Sequence, residues 1–105
     1  MIRKVGLDVV EVDRIREALE KPGFKERILT EREIEICKTP MQIAGRWAVK
    51  EAMYKCDNSL KGWHMIEVLN NPDGSPFVSK PEGGKWHISI SHERGIASAV
   101  AILED

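Results

Sequence analysis

Two carboxylates and several cations stand where their placement demands a chemical explanation. The stretch Gly45 to Lys55 reads GRWAVKEAMYK. As a helix at about 100° per residue, it sorts into two faces. Ala44, Gly45, Ala48, Val49, Ala52, Met53 and Cys56 make an apolar arc of mostly small residues, suited to close approach to a neighbouring strand. Arg46, Trp47, Lys50, Glu51, Tyr54 and Lys55 fill the other side. Glu51 flanks the arc, so its carboxylate is partly desolvated, which is unfavourable unless a cation or metal answers it. Lys55 stands four residues on in the favoured acid-before-base order, and a simple ion pair is one answer. Asp8 raises the same question in a strand. Period-two alternation through IRKVGLDVVEV puts it with Gly6, Val10 and Val12, opposite Val5, Leu7 and Val9. An acid in that setting either caps a nearby backbone turn or ligates a metal.

The elements that must position these groups follow from punctuation and periodicity. Residues 2–12 are rich in β-branched side chains and read as a strand. Asp13 is the expected N-cap of a helix from Arg14 to about Lys21, which Pro22-Gly23 ends. Phe24, Ile28 and Leu29 mark a short helical turn. Thr30 and Glu33 have capping-box spacing for a helix reaching Cys37 or Lys38, and Pro40 separates it from the long helix. Asp57-Asn58-Ser59 and Gly62 read as a loop, Trp63 to Leu69 as a strand, and Asn71 to Gly74 as a turn. Pro76 to Ser79 is a short strand, and Pro81 to Gly84 another turn. WHISIS (86–91) alternates, with Trp86, Ile88 and Ile90 opposite His87, Ser89 and Ser91. His92 to Gly95 then connects to a last strand, Ile96 to Leu103. Strand, helices, then strands predict an α+β fold with helices packed on an antiparallel sheet.

Composition narrows the function. At 105 residues the chain is expected to form one domain, 1–105. A chain this size buries only about two-thirds of its unfolded surface, so oligomerisation is a plausible source of further stability. The net charge of -1 argues against a nucleic-acid binder driven by bulk charge. No apolar run approaches the ~18 residues of a membrane span, and no signal peptide opens the sequence. With Cys37 and Cys56 read as free thiols, a cytoplasmic protein is expected. Arg14, Arg16, Lys21, Lys25 and Arg27 cluster after the first strand, either as a solvated face or as a docking patch for an acidic partner.

Three separated motifs coincide. Val5-Gly6-Leu7-Asp8, Arg46-Trp47-Ala48-Val49-Lys50-Glu51-Ala52 with Lys55, and His87-Ile88-Ser89-Ile90-Ser91-His92 together resemble the holo-acyl-carrier-protein synthases. These are the small members of the 4′-phosphopantetheinyl transferase superfamily. Arg14, the Phe24 to Glu33 region and Gly74-Ser75-Pro76 add to the likeness, which covers nearly the whole chain. One stretch departs from it: where the family continues into a glycine-rich Gly-Thr-Gly loop, this chain has Asn58-Ser59-Leu60, with Gly62 slightly later.

The resemblance implies transfer of phosphopantetheine from coenzyme A to a serine of apo-acyl carrier protein, with release of adenosine 3′,5′-bisphosphate, for fatty acid biosynthesis. Displacement at phosphorus needs alignment and charge neutralisation more than covalent help. Mg²⁺, which takes one or two carboxylates and fills its octahedron with water and substrate phosphate, suits that need. The family assigns its metal ligands to the positions of Asp8 and Glu51. By the same resemblance Lys50 and Lys55 would face the diphosphate, with Lys55 catalytic beside the two acids. Arg46 and His92 would contact the coenzyme, and Arg14 and Arg27 the carrier protein. Family members of this length are homotrimers with active sites between protomers. The acceptor serine's base is open between a metal-activated water and Glu51 acting through a water. A relative that binds coenzyme A or carrier protein without catalysis is the alternative reading.

Overall fold

The computed structural model describes all residues, Met1–Asp105. Strand β1 (Ile2–Glu11) runs into helix α1 (Val12–Ala18), followed by α2 (Phe24–Ile28), α3 (Glu31–Ile36) and the long α4 (Pro40–Cys56). A 3₁₀ turn (Trp63–Met65) leads to β2 (Glu67–Asn70), β3 (Pro76–Lys80), β4 (Trp86–Glu93) and β5 (Ile96–Glu104). All strand pairs are antiparallel, in a three-stranded sheet of order β1-β5-β4 and a two-stranded sheet β2-β3. The expected α+β architecture stands, with helices packed on antiparallel sheet, but the strands divide into two sheets.

Local chemistry explains most boundaries. Thr39 caps α4 in a reciprocal box with Gln42, and Pro40 takes the first helical position, where its missing N–H matters least. The capping box of Thr30 and Glu33 forms as expected. Three boundaries differ from the sequence reading. Helix α1 begins at Val12 with Glu11 as its N-cap, and Asp13 instead sits in the first turn, paired with Arg16. Trp63–Met65 coils before β2, because Lys50 draws in the carbonyl of Trp63 (3.0 Å). Strand β4 continues through His92 and Glu93, so that Arg94 (φ 44°) and Gly95 (φ 81°) alone make the hairpin turn to β5. Two consecutive positive φ values suit a turn whose twist matches the flanking strands.

Helix α4 lies across β1 and β5 and closes the core. Ala44, Ala48, Val49, Ala52 and Met53 face Val10, Ala97, Ala99 and Ala101 across the interface, all buried. The alanines on both sides bring the helix close. Closest approach is at Gly6, where an added Cβ would overlap the carbonyl oxygen of Ala52 and lie 3.0 Å from Cys56 Sγ. Cys37 and Cys56 are both free and buried, as read from the sequence.

The alternation of β1 appears as drawn: Gly6, Val10 and Val12 are buried and Asp8 is half-buried, whereas Val5, Leu7 and Val9 are about 60% exposed. Gly6→Ala should therefore destabilise the fold by about 1–3 kcal/mol, the range for overpacking, read as a lower urea midpoint with unchanged slope.

Candidate active site

The close approach at Gly6 carries Asp8, two residues on, to the last turns of α4. Lys55 donates to the carbonyl of Leu7 (2.6 Å) and to Asp8 Oδ1 (3.3 Å). It therefore pairs with Asp8 and not with Glu51, which corrects the i,i+4 pair expected from spacing. Asp8 Oδ2 is buried with no hydrogen-bond partner. Glu51 stands close enough to feel that charge: burial, then Asp8, push its carboxyl above the ordinary value, against the opposing pull of Lys55 and Arg14. The structure thus pairs Lys55 with Asp8 and leaves Glu51 within electrostatic reach of Asp8, Lys55 and Arg14, with one buried oxygen unanswered.

Such a pair is what a hard divalent cation needs. No group of three or more His, Cys, Asp and Glu side chains gathers anywhere in the chain, so a structural metal cage is absent. Two carboxylates suit a cation that completes its shell with water and substrate phosphate, as Mg²⁺ does. The orphaned Oδ2 of Asp8 and the raised Glu51 carboxyl fit that ion.

Lys50 does not join this group. Its side chain is 1% exposed, and its ammonium donates to Glu33 Oε1 (2.6 Å), Ile28 O (2.7 Å) and Trp63 O (3.0 Å). All three protons are used, leaving none for coenzyme A, which corrects the expectation that Lys50 faces the diphosphate. Burial draws its pKa down, though Glu33 opposes the shift. The Glu33 carboxylate also accepts from the backbone of Thr30 (2.9 Å) and Val68 (2.8 Å). Thr30 Oγ1 donates in turn to buried Glu67 (2.5 Å), which also accepts from Ser79. Burial pushes Glu67 up, but those hydrogen bonds and Arg32 outweigh it and hold its carboxyl below the ordinary value. The sequence suggested Glu33 only as a capping residue and gave no sign of Glu67, because neither signals its burial locally.

Arg46 is also buried, with Nη2 donating to Asn70 Oδ1 (2.7 Å) and Nε to Val68 O (3.3 Å). It ties α4 to β2 with two of its five protons. His92 lies on the Trp86 face of β4 against the second turn of α4, where an added Cβ on Gly45 would stand 3.1 Å from its Nε2. Gly45 and Glu51 are separated by roughly 9 Å of helix rise, so His92 lies apart from the carboxylates. His87 pairs on the surface with Glu104 (2.9 Å) and takes no part in the carboxylate site. Of the basic cluster, Arg16 is paired with Asp13 and Arg27 lies over the Phe24 ring at 5.5 Å. Arg14 is exposed and in no ion pair.

Known proteins carry the same framework. The family model for the 4′-phosphopantetheinyl transferase superfamily matches residues 4–102. The holo-[acyl-carrier-protein] synthase of an Exiguobacterium strain is 38% identical, over 100% of this chain and 94% of its own. That of Chlorobaculum parvum is 41% identical, over 96% and 97%. Among solved structures, a holo-(acyl-carrier-protein) synthase from Bacillus anthracis in complex with CoA (3′,5′-ADP) superposes with a TM-score of 0.89 at 35% identity, covering 99% of this chain and 97% of that one. The Helicobacter pylori enzyme in complex with coenzyme A gives 0.86 at 28% identity, covering 96% and 100%. The chain belongs to the 4′-phosphopantetheinyl transferase superfamily, among the holo-[acyl-carrier-protein] synthases.

The raised Glu51 carboxyl has a consequence for stability. A carboxyl whose folded pKa lies above its unfolded value binds protons more tightly when folded, so its penalty on folding grows as pH rises through that window. Without divalent metal, Glu51→Gln should be more stable than the parent at pH 7, and the gain should vanish below the ordinary carboxylate range. Thermal melts at pH 7 and pH 4, with and without Mg²⁺, would check this; added Mg²⁺ should shrink the gain.

Proposed function

We propose that this chain transfers 4′-phosphopantetheine from coenzyme A to a serine of apo-acyl carrier protein, releasing adenosine 3′,5′-bisphosphate, in the service of fatty acid biosynthesis. The observation that carries the reading is the juxtaposition of Asp8, with its unanswered buried oxygen, and Glu51, flanked by Lys55 and Arg14. Asp8 and Glu51 are the residues that would hold Mg²⁺. When bound, that ion neutralises phosphate charge and aligns the displacement at phosphorus.

The other roles fall to side chains. Lys55, steadied by the Leu7 carbonyl, presents an ammonium at the edge of the carboxylate pair, where charge builds on the leaving phosphate. His92, and the donors of Arg46 left over after β2, face the coenzyme. Arg14 and Arg27 meet the acidic surface of the carrier protein; Arg14 lies within electrostatic reach of Glu51, where it partly offsets the upward push of burial and Asp8, so docking there delivers the acceptor serine beside the chemistry. Val5, Leu7 and Val9, about 60% exposed, with Val100 and Ile102 of β5 beside them, form an apolar sheet face that suits a second and third copy of the chain. A homotrimer with sites in the clefts is the assembly we assign. No helix is long and apolar enough to cross a membrane, and we place the enzyme in the cytoplasm.

Mass spectrometry of apo-acyl carrier protein incubated with the chain, coenzyme A and Mg²⁺ should show a gain of one phosphopantetheine that a chelator abolishes. Asp8→Ala and Glu51→Ala should each remove most of the transfer, and the double variant little more, because the two act on one cation. Arg14→Ala should raise the KM for carrier protein and spare coenzyme A affinity. Coenzyme A binding without any transfer would point to a non-catalytic relative. Light scattering should give three times the chain mass; a monomer that retains full activity would refute the shared cleft.

A further inference from the structure

Helix α2 has five residues, too few to hold its shape by its own hydrogen bonds. Gly23 opens it with a positive φ of 84° and no side-chain cap, and the chain becomes extended at Leu29. The last carbonyls of such a helix need partners from outside it. The N–H of Thr30, which would continue the ladder to Glu26, turns to the Glu33 carboxylate instead (2.9 Å). Two side chains answer from elsewhere: Lys50 donates to Ile28 O (2.7 Å), and His64 Nε2 lies 2.8 Å from Glu26 O. A carbonyl only accepts, so Nε2 carries a proton, as it does in one neutral tautomer and in the imidazolium. The two ties differ. Lys50 is interior and holds several elements at once, whereas His64 is exposed and its hydrogen bond runs to Glu26 alone.

We propose that His64 is a positioning residue for Arg27, the cation of α2 to which the reading above gives a carrier-protein contact. The inference rests on that reading and adds the side chain that presents the contact. Glu26 O and Arg27 N belong to one planar peptide, so a donor on that oxygen fixes the plane from which Arg27 departs. Arg27 is exposed, in no ion pair, and lies over the Phe24 ring at 5.5 Å. His64 is itself well placed to hold it. Its neighbour Trp63 packs on Trp47 with ring centroids 4.6 Å apart, Trp47 stacks on Phe24 at 6.1 Å, and Lys50 holds Trp63 O (3.0 Å). The 3₁₀ turn and α2 are therefore joined twice, through the Phe24 ring and through the Glu26 carbonyl. A guanidinium ordered in advance loses less freedom when an acidic partner engages it, which raises affinity without a new contact.

Calorimetric titration in Mg²⁺ with apo-acyl carrier protein and, separately, with coenzyme A tests this. His64→Ala should weaken carrier-protein binding roughly threefold to tenfold, the scale of ordering one long side chain. Coenzyme A affinity and the thermal midpoint should change little, because His64 is exposed. His64→Gln, whose amide can donate to the same carbonyl, should restore most of the loss, in KM for carrier protein as well as in affinity. In an Arg27→Ala background, His64→Ala should cost nothing further, since it acts through Arg27. Unchanged carrier-protein affinity in His64→Ala would overturn the proposal, as would a His64→Gln variant no better than the alanine. An equal loss in the Arg27→Ala background would mean that His64 meets the partner directly, and parallel losses of coenzyme A affinity and thermal midpoint would mean a general loosening; either overturns it. A parent that binds no carrier protein, or an Arg27→Ala variant that binds it as the parent does, would overturn the docking reading itself and this inference with it.

Discussion

The distance between α4 and β1 governs everything else. At Gly6 the helix backbone occupies the space a side chain would need, and that contact sets how far Asp8 stands from Glu51 and Lys55. With one helix and one strand fixed by alanines and a glycine, two acids sit in each other's field without any direct contact from a balancing cation to Asp8 Oδ2. Such an arrangement is unfavourable alone, and the proposed divalent ion would relieve it. The site illustrates how tight, featureless packing can hold charged groups in an unrelieved state ready for a ligand.

A second constraint works from the far side of the same helix. Lys50 and Glu33 are both nearly solvent-free, and each has its hydrogen-bonding capacity met. Burying such a pair gives little net stability, but losing one partner leaves an unpaired charge and costs about 3–5 kcal/mol. Through Ile28 O, Trp63 O and Val68 N the pair links α2, α4, the 3₁₀ turn and β2. Glu51 thus follows, in sequence, a residue locked in the interior, which limits how far its own turn of helix can shift.

Much of this was legible beforehand. The helix arc from Ala44 to Cys56, the alternation of β1, the Thr30–Glu33 box and the acid at position 8 all follow from local rules that tertiary structure respected. Lys50 and Arg46 were misplaced because helical periodicity assigns long cations to the polar side, and only the fold reveals acceptors on the inner one: Glu33, Ile28 O, Asn70 Oδ1 and Val68 O. Lys55 likewise found Leu7 O and Asp8 in place of Glu51, since sequence spacing weighs neighbours on the helix and cannot see a strand laid beside it. The coil at Trp63 was hidden for the same reason. The boundary of α1 is a different matter: Asp13 is a good capping residue, yet the backbone at Glu11 and Val12 turns two residues earlier, where Val12 N donates to Gly95 O at 2.7 Å.

That last contact belongs to the pairing of β1 with β5, the first and last elements in chain order. Asp8 lies opposite Ala99, and β1 has no other strand partner. During synthesis, therefore, the strand that carries the aspartate waits for nearly all of the remaining sequence before it can be fixed, and the loop to be closed is among the longest the chain allows. Of the helices, only α4, at 17 residues, is long enough for partial structure from local contacts before then. The two carboxylates, one on β1 and one on α4, come together only once that first strand is docked against the finished sheet.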